Sequence, residues 1–182
     1  CGNKNGHRLT RWIAKDVVVL KAISMVISGT VQQQVDHRCY HLKGNGGLKG
    51  AVNQIHDHLG QYHFCLKSDI ADFYASMDHQ VVMQECKKII KDNRVLKIIS
   101  QYLNRVEINR GNYDLITRGL AKGCSLSPII GAIMLKSLDT IIPKGCAYAR
   151  YMDDWLILTK TRGQLRRLIK KMHDTVRCLK LK

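Results

Sequence analysis

Two acidic clusters carry the chemistry this sequence can offer. One is Asp153 and Asp154 in "RYMDDWLILT", set between an aromatic-apolar lead-in and the run Trp155, Leu156, Ile157 and Leu158, which belongs in a core. Neighbouring carboxylates repel each other and lose hydration against apolar side chains, so they need compensation. A divalent cation supplies it; so does bulk water at a hairpin tip, where Asp is an ordinary turn residue. The other cluster is "LKSDIADFYASMDH", with Asp69, Asp72 and Asp78. Phe64, Leu66, Ser68 and Ile70 alternate with His63, Cys65, Lys67 and Asp69, which predicts a strand with one buried face that presents Asp69 at its end on the more polar side. Placed antiparallel beside the strand after Asp154, it brings Asp69 to the Asp153/Asp154 tip. Carboxylates on adjoining strand ends make a magnesium site that receives substrate phosphates.

Periodicity predicts the elements that position these groups. Residues 15–28 and 48–59 read as helices. Asp78 caps a helix carrying Val81, Val82, Cys86, Ile89 and Ile90, and a further helix carries Val95, Ile98, Ile99, Tyr102 and Leu103. In "CSLSPIIGAIMLKSLDTIIP", Ser127 is the expected N-cap and Pro128 the first helical residue, the helix running until Pro143 stops it. "AYARYM" and "WLILT" are short strands that meet at Asp153 and Asp154. Thr161 and Gln164 form a capping box for a last helix with Leu165, Leu168, Ile169, Met172, Val176 and Leu179 on one stripe. The expected class is α+β, an antiparallel sheet backed by helices.

Composition sets the outer limits. A chain of 182 residues, 45% apolar and 24% charged, is globular rather than disordered, and no repeat or Pro/Gly-rich linker divides it. Its 30 Lys and Arg against 14 Asp and Glu give a net charge of +16, so nucleic acid is the first partner to consider, against the plainer alternative of an indifferent basic surface. The seven cysteines form no CxxC or zinc-spaced cluster and read as reduced core residues of a cytoplasmic protein. "VVVLKAISMVISGTV" is too short and too charged to span a bilayer, so no membrane role is expected. A first residue that is not Met, and an end at "RCLKLK", read as a fragment of a longer chain.

In that order and spacing, "SDIADFYASMDH", "RGLAKGCSLSPIIGAIMLKSLD" and "RYMDDWLILT" resemble the palm motifs A, B and C of reverse transcriptases, nearest to the bacterial group II intron-like and retron-like branch. The resemblance implies a polymerase palm with partial fingers and no thumb: a fingers-like segment over residues 1–62 and a palm over 63–182. It implies RNA-directed DNA polymerase activity, joining deoxynucleotides to a DNA or RNA primer on an RNA template. Asp69 and Asp153 would hold two Mg²⁺ ions, or Mn²⁺ in their place, with Asp154 assisting and the Ile70 carbonyl as a further ligand.

The resemblance also assigns the surroundings. Tyr74 stands where the family sets a bulky aromatic against C2′ of the incoming sugar; on its own it reads rather as a core aromatic following a strand. The amides of Asp72 and Phe73 would bind triphosphate oxygens, as successive N–H groups in a turn do, while Asp72 and Asp78 also serve as turn and cap residues. Arg38, Lys43 and Lys49, in the fingers-like loop, are candidates to fold over the triphosphate, and a solvated basic loop is the alternative. Arg150, Lys160, Arg162, Arg166 and Arg167 would face a duplex or water. Where many relatives read Pro-Gln-Gly, this chain has Ala121, Lys122 and Gly123, so a point charge replaces the amide that contacts the nucleotide. Two other classes remain open. An RNA-dependent RNA polymerase shares the palm but has Gly-Asp-Asp where this chain has Tyr-Met-Asp-Asp. A nucleic-acid-binding or host-defence module would keep the fold with little polymerisation, and Lys122 is the residue that favours it.

Overall fold

The computed structural model describes residues 11–109 and 111–182. The first ten residues of the segment read as fingers-like, Cys1 among them, lie outside the described residues. The chain opens with α1 (Ala14–Gln34), whose Leu20, Ile23, Ile27 and Val31 recur every three or four residues and are buried. It continues through α2 (Gly47–His56) and a 3₁₀ turn (Leu59–Gln61) into β1 (Phe64–Ser68). The short α3 (Phe73–Ser76) leads to α4 (His79–Ile89) and α5 (Asn93–Leu103). A hairpin follows, β2 (Val106–Asn109) and β3 (Asn112–Leu115), then α6 (Ser127–Met134) and α7 (Lys136–Thr140). The strands β4 (Ala147–Tyr151) and β5 (Asp154–Thr159) and the helix α8 (Arg162–Cys178) complete the order. This is the α+β class expected.

The principal sheet is antiparallel with order β1-β5-β4. α8 packs on β1, β5 and α7, α6 packs on α1, α4 and α7, and α2 packs on β4. α6 lies at the centre. Seven of its eight residues are buried, because a helix apolar on every side has no face to give to water.

Local reading and structure agree at two of the expected caps. Asp78 accepts from the amides of Gln80 and Val81 at 3.0 and 3.1 Å, and Thr161 accepts from Gln164 at 3.2 Å. The return half of the expected box is not made, since the Gln164 amide group donates to Cys146 Sγ. Ser127 is not a cap. It is the first residue of α6, its hydroxyl donating to the Ala121 carbonyl at 2.7 Å and lying 2.8 Å from the Tyr102 hydroxyl. The helix expected to run to Pro143 breaks at Leu135, separating α6 from α7. Cys65 and Cys178 are exposed, whereas Cys39, Cys86, Cys124 and Cys146 are buried thiols. Among the described residues no helix is long and apolar enough to cross a membrane.

Candidate active site

β1 delivers Asp69. Leu66 and Ser68 are partly buried while Cys65 and Lys67 are exposed, and the chain leaves the strand at Asp69 with its side chain in solvent. Ile70, 2% exposed, anchors the exit. Asp72 then turns the backbone through φ 49°, a left-handed conformation that starts α3 and leaves the Asp72 side chain exposed. In α3 the Phe73 ring is buried, so only its backbone can meet a ligand. The helix is held from outside by two amides, Gly119 donating to Met77 at 2.8 Å and Leu120 to Tyr74 at 2.7 Å.

β5 brings the second cluster to the first. Its register pairs Trp155 with Ser68 on one side and Asp154 with Tyr151 on the other, so the residue after Ser68, Asp69, comes alongside Asp154. Met152 and Asp153 form the tip. Burial pushes the Asp153 carboxyl above its ordinary range; its own amide opposes this, the charges of Asp154 and Asp69 add to it, and Lys122 offsets part. The Tyr74 hydroxyl is raised as well, by burial first and by the Asp153 charge second. The structure thus gathers Asp69, Asp153, Asp154, Tyr74 and Lys122 from four separate segments. The Tyr74 ring tilts against Phe73, 5.0 Å between centroids, beneath Gly131 of α6. A Cβ at Gly131 would lie 3.2 Å from Phe73 Cε1 and 3.4 Å from the Tyr74 hydroxyl, so glycine there makes room for both rings.

Other candidates go elsewhere. Arg38 bonds both oxygens of Asp36, at 2.9 and 2.7 Å, and lies over the Tyr148 ring with 12% of its side chain exposed; it is held in the scaffold. Lys43 and Lys49 are exposed in and after the glycine-bearing loop. Gly123 has φ 85° with open space where a Cβ would be, so its glycine serves backbone conformation rather than a close approach among the described residues. Arg150 faces neither duplex nor water. It is fully buried and bonds Asp139 through Nε and Nη2 at 2.7 and 2.6 Å, with Tyr148 donating to the same carboxylate at 2.6 Å.

Sequence reading did not single out Asp139 or His41. The sign for Asp139 was a lone acid in the apolar run "SLDTII", which requires an interior partner, and Tyr148 and Arg150 share one face of β4 at the i, i+2 spacing that supplies it.

Among the described residues no group of three or more His, Cys, Asp and Glu side chains is drawn up as a metal cage. The donor set nevertheless fits a hard cation. Every ligand on offer is oxygen, and the burial that raises Asp153, together with the charges of Asp154 and Asp69, is what a divalent charge between the carboxylates would offset. Mg²⁺ needs only one or two protein carboxylates, completing its shell with water and phosphate.

A three-stranded antiparallel sheet backed by helices, with an acidic two-residue turn beside an acidic strand end, is the architecture of a polymerase palm. The sequence profile described as "Reverse transcriptase (RNA-dependent DNA polymerase)" matches residues 3–182, and the chain belongs to this family of nucleotidyltransferases. Solved structures of similar fold include telomerase from Candida tropicalis in complex with a TWJ fragment of telomeric RNA, with TM-score 0.63, 14% identity, and coverage of 89% of this chain and 31% of that one. The apo telomerase of Candida tropicalis has TM-score 0.64 and 11% identity, covering 96% and 35%. Telomerase from Candida albicans, again with a TWJ fragment of telomeric RNA, has TM-score 0.63 and 13% identity, covering 86% and 32%. At such identities the likeness is one of fold, and the chain spans about a third of the length of these structures. No curated protein sequence matches the chain.

Proposed function

We propose that this chain is the fingers-palm part of an RNA-directed DNA polymerase of the bacterial group II intron-like and retron-like branch, with residues 1–62 as fingers and 63–182 as palm. Its partners would be an RNA template, a DNA or RNA primer and deoxynucleoside triphosphates. The observation that carries this reading is that Asp153, whose carboxyl is raised first by burial at the β4–β5 turn, also feels the charges of its neighbour Asp154 and of Asp69 from the end of β1.

Asp69, Asp153 and the Ile70 carbonyl would hold the Mg²⁺ pair, with Asp154 beside them. When bound, the ions supply the Lewis acidity that activates a primer 3′-OH and neutralises a leaving pyrophosphate. The protein's own work is positioning. The Asp72 and Phe73 amides sit where a left-handed residue precedes a helix, a geometry that cradles phosphate oxygens. Tyr74, backed by Phe73 and α6, bounds the sugar and excludes a 2′-hydroxyl. Lys122, whose charge reaches Asp153, stands where a phosphate would approach. Lys43 and Lys49 add positive charge from the fingers side. A cytoplasmic location is part of the proposal, on the reading of the cysteines as reduced.

Primer extension by the full-length parent tests the proposal, with dNTP or NTP, Mg²⁺ or Mn²⁺, and Asp153→Asn as control. Deoxynucleotide incorporation that falls about a thousandfold in the variant is expected. Ribonucleotide preference would assign an RNA polymerase instead, and RNA binding with no incorporation would assign a binding module.

A further inference from the structure

Met152 is the first of the two residues joining β4 to β5, and its φ of 58° lies in the left-handed region that non-glycine residues avoid. At such a tip the amide and carbonyl ordinarily face water. Here side chains take both. The Met152 N–H donates to His41 Nδ1 at 3.0 Å across 111 positions of sequence, and the Met152 carbonyl accepts from Arg150 Nη1 at 2.9 Å.

The far side of the His41 ring is also engaged, with Nε2 3.1 Å from the Pro128 carbonyl at the start of α6. A carbonyl only accepts, so Nε2 carries the proton and Nδ1 keeps its lone pair for Met152. One neutral tautomer satisfies both contacts. The Cys39 thiol, 3.4 Å from Nδ1, is a second donor to that nitrogen, kept protonated because burial pushes its pKa up to about 12. Burial, followed by the Arg150 charge, holds the His41 pKa down at about 4, while the Pro128 contact and Asp139 pull the other way.

We propose that His41 is a positioning residue for the catalytic turn, tying the loop after α1 to the start of α6 and holding the Met152 peptide in the left-handed conformation that directs Asp153 toward Asp69. The kinetic consequence rests on the polymerase reading; the clamp itself is legible at the Met152 amide whether or not the protein polymerises.

Amide hydrogen exchange at Met152 and steady-state dNTP incorporation, both on the full-length parent, test it. His41→Leu is expected to speed Met152 exchange about a hundredfold and to lower kcat about a hundredfold, with the dNTP KM changed by less than about threefold. His41→Asn, whose carbonyl oxygen takes the place of Nδ1, keeps Met152 protected. His41→Gln reaches Pro128 but carries no acceptor where Nδ1 sits, and exposes Met152. Adding Met152→Gly to His41→Leu restores kcat about tenfold, because glycine holds a positive φ unaided; a mere loop filler would show no such rescue. Unchanged Met152 exchange in His41→Leu overturns the proposal, as do equal protection in the Asn and Gln variants and a double variant no more active than His41→Leu. An inactive wild type would count against the polymerase reading and leave the exchange data to decide the clamp.

Discussion

Arg150 and Asp139 face each other in the core with side chains 0% and 1% exposed, the guanidinium meeting the carboxylate at 2.7 and 2.6 Å in a two-pronged pair. Burial opposes the Arg150 charge, and Asp139 more than restores it, leaving the guanidinium harder to deprotonate than usual. Removing one partner leaves the other charged and dry. Arg150→Ala or Asp139→Ala should therefore destabilise the protein by about 3–5 kcal/mol in urea unfolding. The triple change Asp139→Leu, Tyr148→Phe and Arg150→Met, which leaves no buried charge, should cost less than either single change; a larger loss would refute this account.

Gly119 and Gly123 share a positive φ, 84° and 85°, and differ in surroundings. A Cβ at Gly119 would lie 2.8 Å from the Ala75 carbonyl, against the backbone that carries Tyr74, whereas at Gly123 nothing lies within 4 Å. Gly119→Ala should lose about 2–4 kcal/mol and Gly123→Ala about 1 kcal/mol. Thermal unfolding of the two variants checks the difference, and equal losses would contradict it.

The Tyr74 ring is fixed on two sides, by Phe73 and by the close approach allowed at Gly131. Tyr74→Val should raise ribonucleotide incorporation relative to deoxynucleotide by about tenfold or more. Gly131→Ala, by crowding both rings, should lower incorporation of either sugar. Unchanged sugar selectivity in the Val variant would remove Tyr74 from the gate.

His41 contributes a pH dependence of known sign. Its pKa falls from 6.5 to about 4 on folding, so the unfolded chain binds the extra proton in that interval. The stabilisation is complete above pH 6.5 and gone below pH 4, a loss of about 3 kcal/mol on acidification. Urea unfolding at pH 7, 5.5 and 4 should show this slope in wild type and a flatter one in His41→Asn. Asp36 and Asp78, whose carboxyls are held below the usual range, lose their contribution at still lower pH and do not confuse the interval.

Asp153 has the opposite sign. Its raised carboxyl pKa means that ionisation at neutral pH is disfavoured in the fold, so its contribution is present in acid and lost as pH rises through the folded value. Without divalent cation, Asp153→Asn should raise Tm by about 2 °C at pH 7 while removing extension activity. A lower Tm would mean that the carboxylate is not under repulsion.

Short-range rules accounted for much of the fold. The Asp78 and Thr161 caps, the alternation of β1, the two strands meeting at the acidic tip and the apolar stripe of α8 each depend on residues within a few positions of one another, and spacing along the chain records them. The same rules brought Asp69 to Asp153 only through the added assumption that β1 lies antiparallel to β5. The hairpin β2–β3 escaped because its apolar face is the open one: Val106, Ile108, Tyr113 and Leu115 share a face and are all more than half exposed, while the Glu107 side chain on the opposite face is 10% exposed, the reverse of the pattern that marks a half-buried strand.

What the linear pattern could not decide was which polar side chains lie inside and what they hold there. Arg150 looked like a surface cation and Ser127 like a helix cap, and His41 carried no sign of a role. Folding buried the first against Asp139, pinned the second between Tyr102 and Ala121, and stretched the third between Met152 and Pro128. Burying a polar group is costly unless a partner of matching geometry repays its lost hydration. That partner sits eleven positions from Arg150, twenty-five from Ser127 and more than a hundred from His41, distances that only chain packing can close.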